Sequence, residues 1–356
     1  MAESWDTISA VNKTCEAYHR KNTWEKASQT YPRFYMAEKF LKQNNRTDIT
    51  GTGVKFNVRT SFHNTASIRK PYQPDEVTTG GEVDQGEINP IEISAYWAWW
   101  EEELAMNGSS EGADTLIDLL AMRYDDQNQS LLEFLEVLGM EGREGPDDYD
   151  ALNGIFQYLP APTSTTAGFQ ILNPPNFDDT VGLDRTADPN LRPYGALYRA
   201  ITDEDLLEKM RLGRFECDWF DYRVGDSKKP DMPGGLEYLT TIQVVMAFER
   251  LARANNDNMA GAEIQKFANQ TTFMGTPMTP NHYLSKNCAS HPIIGLDWSG
   301  ICIYFWKNFK NKKTGPVHPA SQHNGWAFFD DSMMNILFQK WRSMMRFDLD
   351  TANATI

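Results

Sequence analysis

The sequence predicts an α+β fold, and three observations support that class. One long segment has the period of a helix in its apolar residues, and two segments before it alternate apolar and polar residues like strands. Later segments switch repeatedly between the two patterns, which is typical of an α/β lobe. The chain has 356 residues, 40% of them hydrophobic, so it can bury a sizeable core divided between two lobes.

The helical period extends from Ser110 to Leu138. Its apolar residues recur at spacings of three, four or seven and therefore share one face: Leu116, Leu120, Tyr124, Leu131, Leu135 and Leu138. Ser109 and Ser110 offer hydroxyls for the amino-terminal cap, and Gly139 is the predicted left-handed end. Such a helix is about 43 Å long. The polar residues predicted to point away from its apolar face are Asp118, Asp125, Asp126, Gln129, Glu133 and Glu136.

Alternation with a period of two predicts a long antiparallel hairpin before this helix. Val54 to Phe62 forms one strand and Ile91 to Trp99 the other, and the residues between them are rich in proline and glycine. A two-stranded ribbon with one apolar face is only marginally stable alone, so we expect it to lie on another subunit. The tip residues expected to make contacts there are Arg69, Lys70, Tyr72, Asp75 and Glu76. A hairpin folded back on its own sheet is the alternative.

Residues 1 to 50 are predicted to form a helical arm. Ile8, Val11 and Cys15 repeat at helical spacing, and a second short helix is predicted to start at Pro32. The arm also carries aromatic residues that so short a segment cannot bury by itself. The sequence leaves open whether the arm docks on its own domain or on a neighbour.

The remaining segments predict loops followed by a compact α/β lobe. Residues 139–190 are rich in Gly, Pro, Asp and Asn, so we expect loops and short strands there. Thr202 is predicted to cap a helix. Further predicted elements are a strand at 236–242, a helix at 244–254 and short strands at 273–277, 293–296 and 301–306. The run Trp326 to Phe347 fits a helix or strands, and we favour strands that return to the first lobe.

Composition argues against several classes of protein. The net charge of −15 would repel nucleic-acid phosphates unless a basic patch compensated for it. The densest group of lysines, predicted to be a solvated loop, is Lys307, Lys310, Lys312 and Lys313. The four cysteines are far apart without a CxxC pair, which is typical of reduced thiols. No signal peptide or apolar run of membrane-spanning length is evident, so we expect a soluble protein made in the cytoplasm.

The search for catalytic motifs gives no strong candidate. Nucleotide-binding, hydrolase and CxxC signatures are lacking in the sequence. Glu101, Glu102 and Glu103 follow tryptophans as in sugar-binding clefts, but consecutive glutamates point in different directions and a solvated strand end is favoured. His318 and His323 would need a third metal ligand, and His282 and His291 near Cys288 lack an orienting residue. We therefore expect no enzyme, cofactor or metal site, with a carbohydrate-active enzyme as the alternative.

The order of the predicted elements resembles that of the major capsid proteins of tailed bacteriophages, which have the Hong Kong ninety-seven fold. A glycine turn and strand at Gly51 to Arg59 precede a tryptophan-bearing return strand and a spine helix, as in that family. Three short motifs occur in the family's order. They are Leu152-Asn153-Gly154-Ile155, Val181-Gly182-Leu183-Asp184-Arg185 and Phe273-Met274-Gly275-Thr276-Pro277.

The resemblance implies a division into five regions. They are an N-terminal arm at 1–50, an extended loop at 51–106, a peripheral domain at 107–190 with spine helix 110–138, an axial domain at 191–325, and return strands of the peripheral domain at 326–356.

The resemblance also implies a structural function. Subunits of the family form hexamers and pentamers that close into an icosahedral virion capsid around double-stranded DNA, which needs no active site. The implied partners are further copies of the chain, a separate scaffolding protein, a portal protein and a decoration protein, with assembly in the host cytoplasm. A cellular encapsulin shell is the alternative within the same structural class.

Overall fold

The structure is a computed structural model. It describes residues 8–13, 15–16, 34–41, 46–59, 83–106, 112–145, 151–171, 173–174, 176–219, 235–254, 264–267, 270–320 and 324–353. Its helices are α1 (Tyr35–Leu41), α2 (Glu101–Met106), α3 (Gly112–Glu141), α4 (Ile155–Tyr158), α5 (Glu208–Glu216), α6 (Ile242–Ala254) and α7 (His282–Asn287). We call α1 the arm helix and α3 the spine helix.

The strands form two large sheets and a ribbon. Strands β1 to β8 are Arg46–Ile49, Val54–Arg59, Val83–Ile88, Ile91–Trp100, Gly168–Phe169, Tyr194–Tyr198, Leu236–Thr240 and Ile264–Phe267. Strands β9 to β15 are Gln270–Phe273, Thr276–Pro280, Ile293–Asp297, Ile301–Trp306, Lys312–Val317, Gly325–Phe338 and Met345–Leu349. The five-stranded sheet contains β1, β4, β12, β13 and β14, and the ribbon contains β2 and β3. The eight-stranded sheet has the order β5-β6-β15-β11-β7-β10-β9-β8.

The five-stranded sheet packs on the spine helix and forms the first lobe with it. Strand β14 pairs antiparallel with β4 on one edge and with β12 and β13 on the other. On the inner face of the sheet, the Trp97 ring stacks on Phe328 with centroids 4.4 Å apart and meets Tyr124 of the spine helix edge-on at 6.2 Å. This aromatic cluster fixes the helix against the sheet.

The eight-stranded sheet is covered on both faces and forms the second lobe. Ile293 packs in the cluster that contains Met210 of α5 and Phe248 of α6. The next residue, Ile294, belongs to the cluster that contains Leu131 of the spine helix. Neighbouring residues of a strand point to opposite faces, so the sheet is covered by α5 and α6 on one side and by the core that it shares with the first lobe on the other.

The spine helix confirms the predicted apolar face but not the predicted end. Its residues Leu120, Tyr124, Leu131 and Leu135 are buried, whereas Ser109 and Ser110 lie outside the described residues. Gly139 is helical, and the chain leaves the helix at Gly142, whose φ is +74°. A Cβ atom at Gly139 would lie 2.6 Å from Phe40 Cε2, so this glycine permits close packing of the arm helix instead.

The predicted pairing of the hairpin strands is wrong. Strand β2 pairs with β3, with Phe56 opposite Gly86, while β4 pairs with β14 in the first lobe. The segment Val83–Ile88 lacks apolar alternation and contains a glycine, so its sequence predicts a part of the tip and not a strand. A Cβ atom at Gly86 would lie 2.4 Å from Phe56 Cζ, which shows that the glycine makes room for the opposing ring.

The carboxyl-terminal strands are confirmed, but they are divided between the two sheets. Strand β14 lies in the first lobe and β15 in the second, while β12 and β13 lie in the first. The chain crosses between the sheets at Trp298 to Gly300 and at residues 339–344. The predicted ranges 191–325 and 326–356 therefore do not coincide with the two sheets, because apolar alternation identifies a strand but not its sheet.

Two local predictions also differ from the structure. The Thr202 side chain makes no capping hydrogen bond, and a π-helical turn over Asp203–Leu207 precedes α5. The Asp205 carboxylate instead accepts hydrogen bonds from Arg199 N at 2.6 Å and Ala200 N at 2.9 Å. The segment 273–277 is the turn between β9 and β10, with positive φ at Met274 and Gly275, as two-residue hairpin turns require.

The described part of the arm packs on its own chain. Residues 8–13 and 15–16 are helical, and Cys15 is buried with Trp97, Trp99 and Tyr124. The arm helix belongs to the large core cluster through Met36, Ala37, Phe40 and Leu41. For these residues, the question left open by the sequence is answered in favour of docking within the subunit.

Candidate functional site

The ribbon is anchored at its base by a motif quoted above. Val58 and Phe56 are half-buried against the core cluster, and Glu87 N donates a hydrogen bond to Val181 O at 3.1 Å. An exposed pair between Lys55 and Glu87 at 3.6 Å contributes little to stability. The predicted contact residues Arg69, Lys70, Tyr72, Asp75 and Glu76 lie outside the described residues, so their contacts stay a prediction.

The outer face of the five-stranded sheet carries an aromatic patch. Alternation along β4 turns Trp97 and Trp99 inward, while Tyr96 is 70% and Trp100 40% exposed. Tyr96 lies opposite Phe329 of β14, with ring centroids 6.1 Å apart. We call Tyr96, Trp100, Phe329 and the exposed Val317 the outer patch. Contiguous exposed apolar residues are typical of interaction surfaces.

The spine helix presents an acidic stripe on the side away from the core. The stripe consists of the exposed carboxylates Asp125, Asp126 and Glu133, with the exposed Met122 on the same side. Partial burial, followed by repulsion from Asp126, raises the pKa of Asp125. A surface with this charge does not attract polyanions.

The three consecutive glutamates diverge as predicted, but they do not form a solvated strand end. They begin α2, where Glu103 makes a bidentate pair with Arg123 of the spine helix, with N–O distances of 2.8 and 2.5 Å. Arg123 also donates to Ala98 O at 3.0 Å, and Glu101 accepts from Trp326 Nε1 at 3.0 Å. Glu101 and Glu103 therefore join α2 to its neighbours. They do not face one another as a glycosidase pair does.

The predicted histidine and cysteine pairs are not assembled into a reactive site. The His318 ring packs on Trp326, with centroids 3.6 Å apart, while His323 lies outside the described residues. His291 Nδ1 faces Thr241 Oγ1 at 3.3 Å, and burial raises the pKa of the Cys288 thiol. Among the described residues, no group of three or more His, Cys, Asp or Glu side chains is arranged to hold a metal ion.

The lysine group predicted to be a solvated loop is partly built into the first lobe. Lys310 pairs with Asp48 of β1 at 3.0 Å. Lys313 lies 3.9 Å from Asp330 and 3.2 Å from the Tyr124 hydroxyl. Burial lowers the pKa of Lys313, with Asp330 opposing that shift. The prediction was wrong for these two lysines, because Lys310 pairs with a strand of the sheet and alternation along β13 turns Lys313 inward.

Several charged residues are buried in the described part of the chain without having been predicted to be so, and Glu136, Glu237 and Arg185 are the ones with the most consequence here. Glu136 and Glu237 are buried and accept several hydrogen bonds each, and Glu136 had been assigned to the exposed side of the spine helix. Arg185 lies in the core, with its guanidinium 4.8 Å from the centre of the Trp341 ring, and donates to Gln157 O at 3.2 Å. Desolvation lowers the pKa of Arg185 to about 9. A charged residue inside an apolar run could have indicated a buried charge, as for Glu237 in Leu236–Thr240.

No helix in the described ranges has the length and apolar character needed to cross a bilayer. No protein-family model matches the chain, and no curated protein matches it.

The fold nevertheless matches solved structures over most of its length. The Cyanophage A-1(L) capsid asymmetric unit shares 11% identity and a TM-score of 0.57, covering 85% of this chain and 90% of that one. The capsid of the native GTA particle shares 11% identity and a TM-score of 0.51, covering 87% and 90%. A structure titled Mycobacterium phage Bobi shares 10% identity and a TM-score of 0.51, covering 88% and 90%. These similarities confirm the predicted class: the chain has an α+β capsid fold of the Hong Kong ninety-seven type.

Proposed function

We propose that this protein is a major capsid protein that self-assembles into the hexamers and pentamers of an icosahedral phage head enclosing double-stranded DNA. One observation carries the proposal. The fold matches the capsid of cyanophage A-1(L) and the capsid of a GTA particle over 85% and 87% of the chain. A structural role without catalysis fits a fold whose conspicuous surfaces are an apolar patch, an acidic stripe and a two-stranded ribbon.

We propose that the two lobes are the counterparts of the peripheral and axial domains, although their sheets do not follow the residue ranges that the resemblance implies. In this proposal the five-stranded sheet and the spine helix form the peripheral domain, and the eight-stranded sheet forms the axial domain at capsomer centres. The ribbon β2–β3 is the base of the extended loop. Contacts between different surfaces of successive copies generate rings, and a ribbon that leaves one subunit and lies on the next provides such a contact.

The electrostatic character of the chain supports a container for DNA. The net charge is −15, and the acidic stripe on the spine helix adds a surface that repels phosphates. We propose that such a surface faces the packaged DNA, which then fills the shell without adhering to its wall. Sequence-specific DNA binding has no role in this proposal.

The further partners belong to the same proposal. A separate scaffolding protein guides assembly, a portal protein occupies one vertex, and a decoration protein binds the outside. The mature location is the virion, after assembly in the host cytoplasm. The sequence and the fold support these partners only through the capsid role itself.

The primary experiment is electron microscopy of the purified full chain combined with size-exclusion chromatography. We expect pentamers, hexamers or closed particles with icosahedral symmetry. A chain that stays monomeric at every concentration and with every accessory protein would contradict the proposal. Particles that enclose protein cargo and exclude DNA during infection would indicate an encapsulin-like shell.

The ribbon tip has its own test. We propose that Arg69, Lys70, Tyr72, Asp75 and Glu76 contact the neighbouring subunit, so the substitution Lys70→Glu is expected to lower the yield of particles about tenfold, the loss of one close charge pair. Lys55→Glu is the matched control, because Lys55 lies at the ribbon base in an exposed pair within its own subunit. Equal yields from the two variants would show that the tip makes no such contact.

A further inference from the structure

The arm helix lies where the two lobes meet, and two buried carboxylates hold it there. Glu136 belongs to the spine helix of the first lobe, and Glu237 belongs to β7 of the second. Neither residue was predicted to be buried. Both are acceptors for groups on the arm helix and for groups on the second lobe, so each joins separate parts of the subunit.

Glu136 caps the start of the arm helix. Its carboxylate accepts hydrogen bonds from Met36 N at 2.7 Å and Ala37 N at 3.1 Å. These amides are among the first of the helix, which have no partner within it and lie at its positive end. The same carboxylate accepts from Asn281 Nδ2 at 2.8 Å. Asn281 caps α7 in the second lobe, so Glu136 connects the spine helix, the arm helix and that lobe.

Glu237 binds side chains of the arm helix, whereas Glu136 binds its backbone amides. Glu237 accepts from Lys39 Nζ at 2.9 Å and from the Tyr35 hydroxyl, and these residues lie four apart on one face of the arm helix. It also accepts from Trp298 Nε1 at 2.8 Å and from the Thr279 hydroxyl. Removing the arm helix would take away the ammonium group that pairs with this buried carboxylate, which is unfavourable.

Phe40 completes the contact by packing between the lobes. Its ring lies against Gly139 of the spine helix, where a Cβ atom would be 2.6 Å away from Cε2. On its other side it meets the Trp298 ring edge-on, with centroids 6.0 Å apart. Trp298 is in the crossing between β11 of the second lobe and β12 of the first. The arm helix therefore touches one of the connections about which the lobes would reorient.

We propose that Glu136 and Glu237 are positioning residues that couple the seating of the arm helix to the angle between the two lobes. With the arm helix seated, its donors satisfy both carboxylates and Phe40 fills the space beside Trp298. When the arm helix leaves, both carboxylates lose partners and the crossing at Trp298 loses its cover. The lobes then reorient more freely. The inference concerns the single subunit and does not depend on the proposed capsid function.

Hydrogen–deuterium exchange of the full chain tests the coupling. In Glu136→Gln, we expect the Met36 and Ala37 amides to exchange about tenfold faster, since a neutral amide oxygen replaces the charged acceptor and binds these donors more weakly. The crossings at 297–301 and 339–345 are expected to exchange faster as well. Glu133→Gln, on the exposed side of the same helix, is the matched control and should change neither region. Faster exchange of the arm helix with unchanged crossings would overturn the proposal.

A second set of variants keeps the test valid if a carboxylate substitution prevents folding. Lys39→Met removes the ion pair with Glu237 from the arm side, while Lys39→Arg retains a cation there. We expect Lys39→Met to loosen both the arm helix and the crossings and Lys39→Arg to restore protection of both. If Lys39→Arg leaves the crossings as exposed as Lys39→Met does, the ion pair does not position the lobes.

A double-mutant cycle separates coupling from two independent anchors. Because both carboxylates act through one helix, the loss of unfolding free energy in the double variant Glu136→Gln/Glu237→Gln should be smaller than the sum of the two single losses. Additive losses would mean that each carboxylate supports only its own lobe, and the proposed coupling would be excluded.

Discussion

Buried charges determine much of the local architecture of this subunit. Glu136 and Glu237 accept hydrogen bonds from several elements, and Arg185 packs on Trp341 beside the second crossing between the lobes. Each is costly to bury, so each is tolerated only with partners from distant parts of the chain. Helical spacing predicted that Glu136 faces solvent, and this was wrong because the arm helix covers that side of the spine helix. The apolar period of one helix does not indicate which other helices pack on it.

The pKa of Glu136 predicts a pH dependence of stability. Burial raises this pKa above its ordinary value of 4.5, with hydrogen bonds from Asn281, Ala37 and Met36 opposing the shift. At pH values between 4.5 and the raised pKa, Glu136 binds more protons in the native state than in the unfolded state. The stabilisation from protonated Glu136 is therefore fully present below pH 4.5 and is lost as the pH rises through the raised pKa.

Chemical denaturation of the wild type and of Glu136→Gln from pH 4 to pH 8 measures this contribution, because glutamine does not titrate. We expect the difference in unfolding free energy, wild type minus variant, to be larger at the acidic end than at neutral pH. A difference that is constant with pH, or that grows toward neutral pH, would contradict the assignment. Burial raises the pKa of Asp205, but hydrogen bonds from Lys209, Ala200 and Arg199 together lower it, so its contribution to stability changes with pH in the opposite direction. Asp205 is present in both proteins, and its contribution cancels in the difference.

Among the secondary-structure elements, the sequence predicts best those whose apolar residues repeat with a single helical or strand period. The spine helix and β4 were found because their apolar residues repeat regularly over many positions, whereas the run that contains β14 fitted a helix or strands. Ribbon pairing and the helix end were missed for a common reason. Gly86 and Gly139 were interpreted as breaks in regular structure, yet both lie inside elements and make room for a phenylalanine ring. A glycine that accommodates a distant ring cannot be told from a turn glycine by its neighbours in sequence.

The substitution Gly86→Ala is expected to weaken the ribbon by about 1–3 kcal/mol, because the new methyl group overlaps the Phe56 ring. Hydrogen exchange of β2 and β3 measures the local effect. Gly168→Ala is the matched control, since a Cβ atom there meets no other atom within 4 Å. Unchanged protection of the ribbon in Gly86→Ala would show that Phe56 does not pack over this glycine.

Gly139→Ala sets helix propensity against packing. Alanine favours a helix interior over glycine by about 1 kcal/mol, but its methyl group would overlap Phe40 at a cost of about 1–3 kcal/mol. We expect a net loss of stability with unchanged helical circular dichroism, because the arm helix is displaced and the spine helix is not. Ser130→Ala, at an exposed position of the same helix, should not loosen the arm helix. If Gly139→Ala is more stable than Ser130→Ala, helix propensity outweighs the packing of Phe40 at this position.

For the whole molecule, the order of elements was predictable and their assembly into two sheets was only partly so. The chain visits the first lobe, the second, the first and the second again, and the last two of its three crossings lie at Trp298–Gly300 and in residues 339–344. The apolar pattern of a strand does not indicate which sheet the strand joins, so the predicted ranges 191–325 and 326–356 do not follow these crossings. Tyr96 and Trp100 lie on the exposed face of β4, where the structure brings them together with residues of β13 and β14 as the outer patch.

Because Tyr96 lies in the outer patch, we expect its substitution to lower the yield of particles without lowering the stability of the isolated subunit. This side chain is 70% exposed, so Tyr96→Ser should change the unfolding free energy of the isolated subunit by less than about 0.5 kcal/mol. If the patch is covered by a neighbouring copy, the same substitution should lower particle yield about tenfold, since a buried tyrosine is typical of the residues that dominate an interface. Tyr96→Phe keeps the ring and should assemble nearly as well as the wild type. If Tyr96→Ser assembles like the wild type in sedimentation and electron microscopy, the patch faces solvent in the particle. In the proposed capsid, the contacts that close the rings would then have to come from the ribbon and the second lobe.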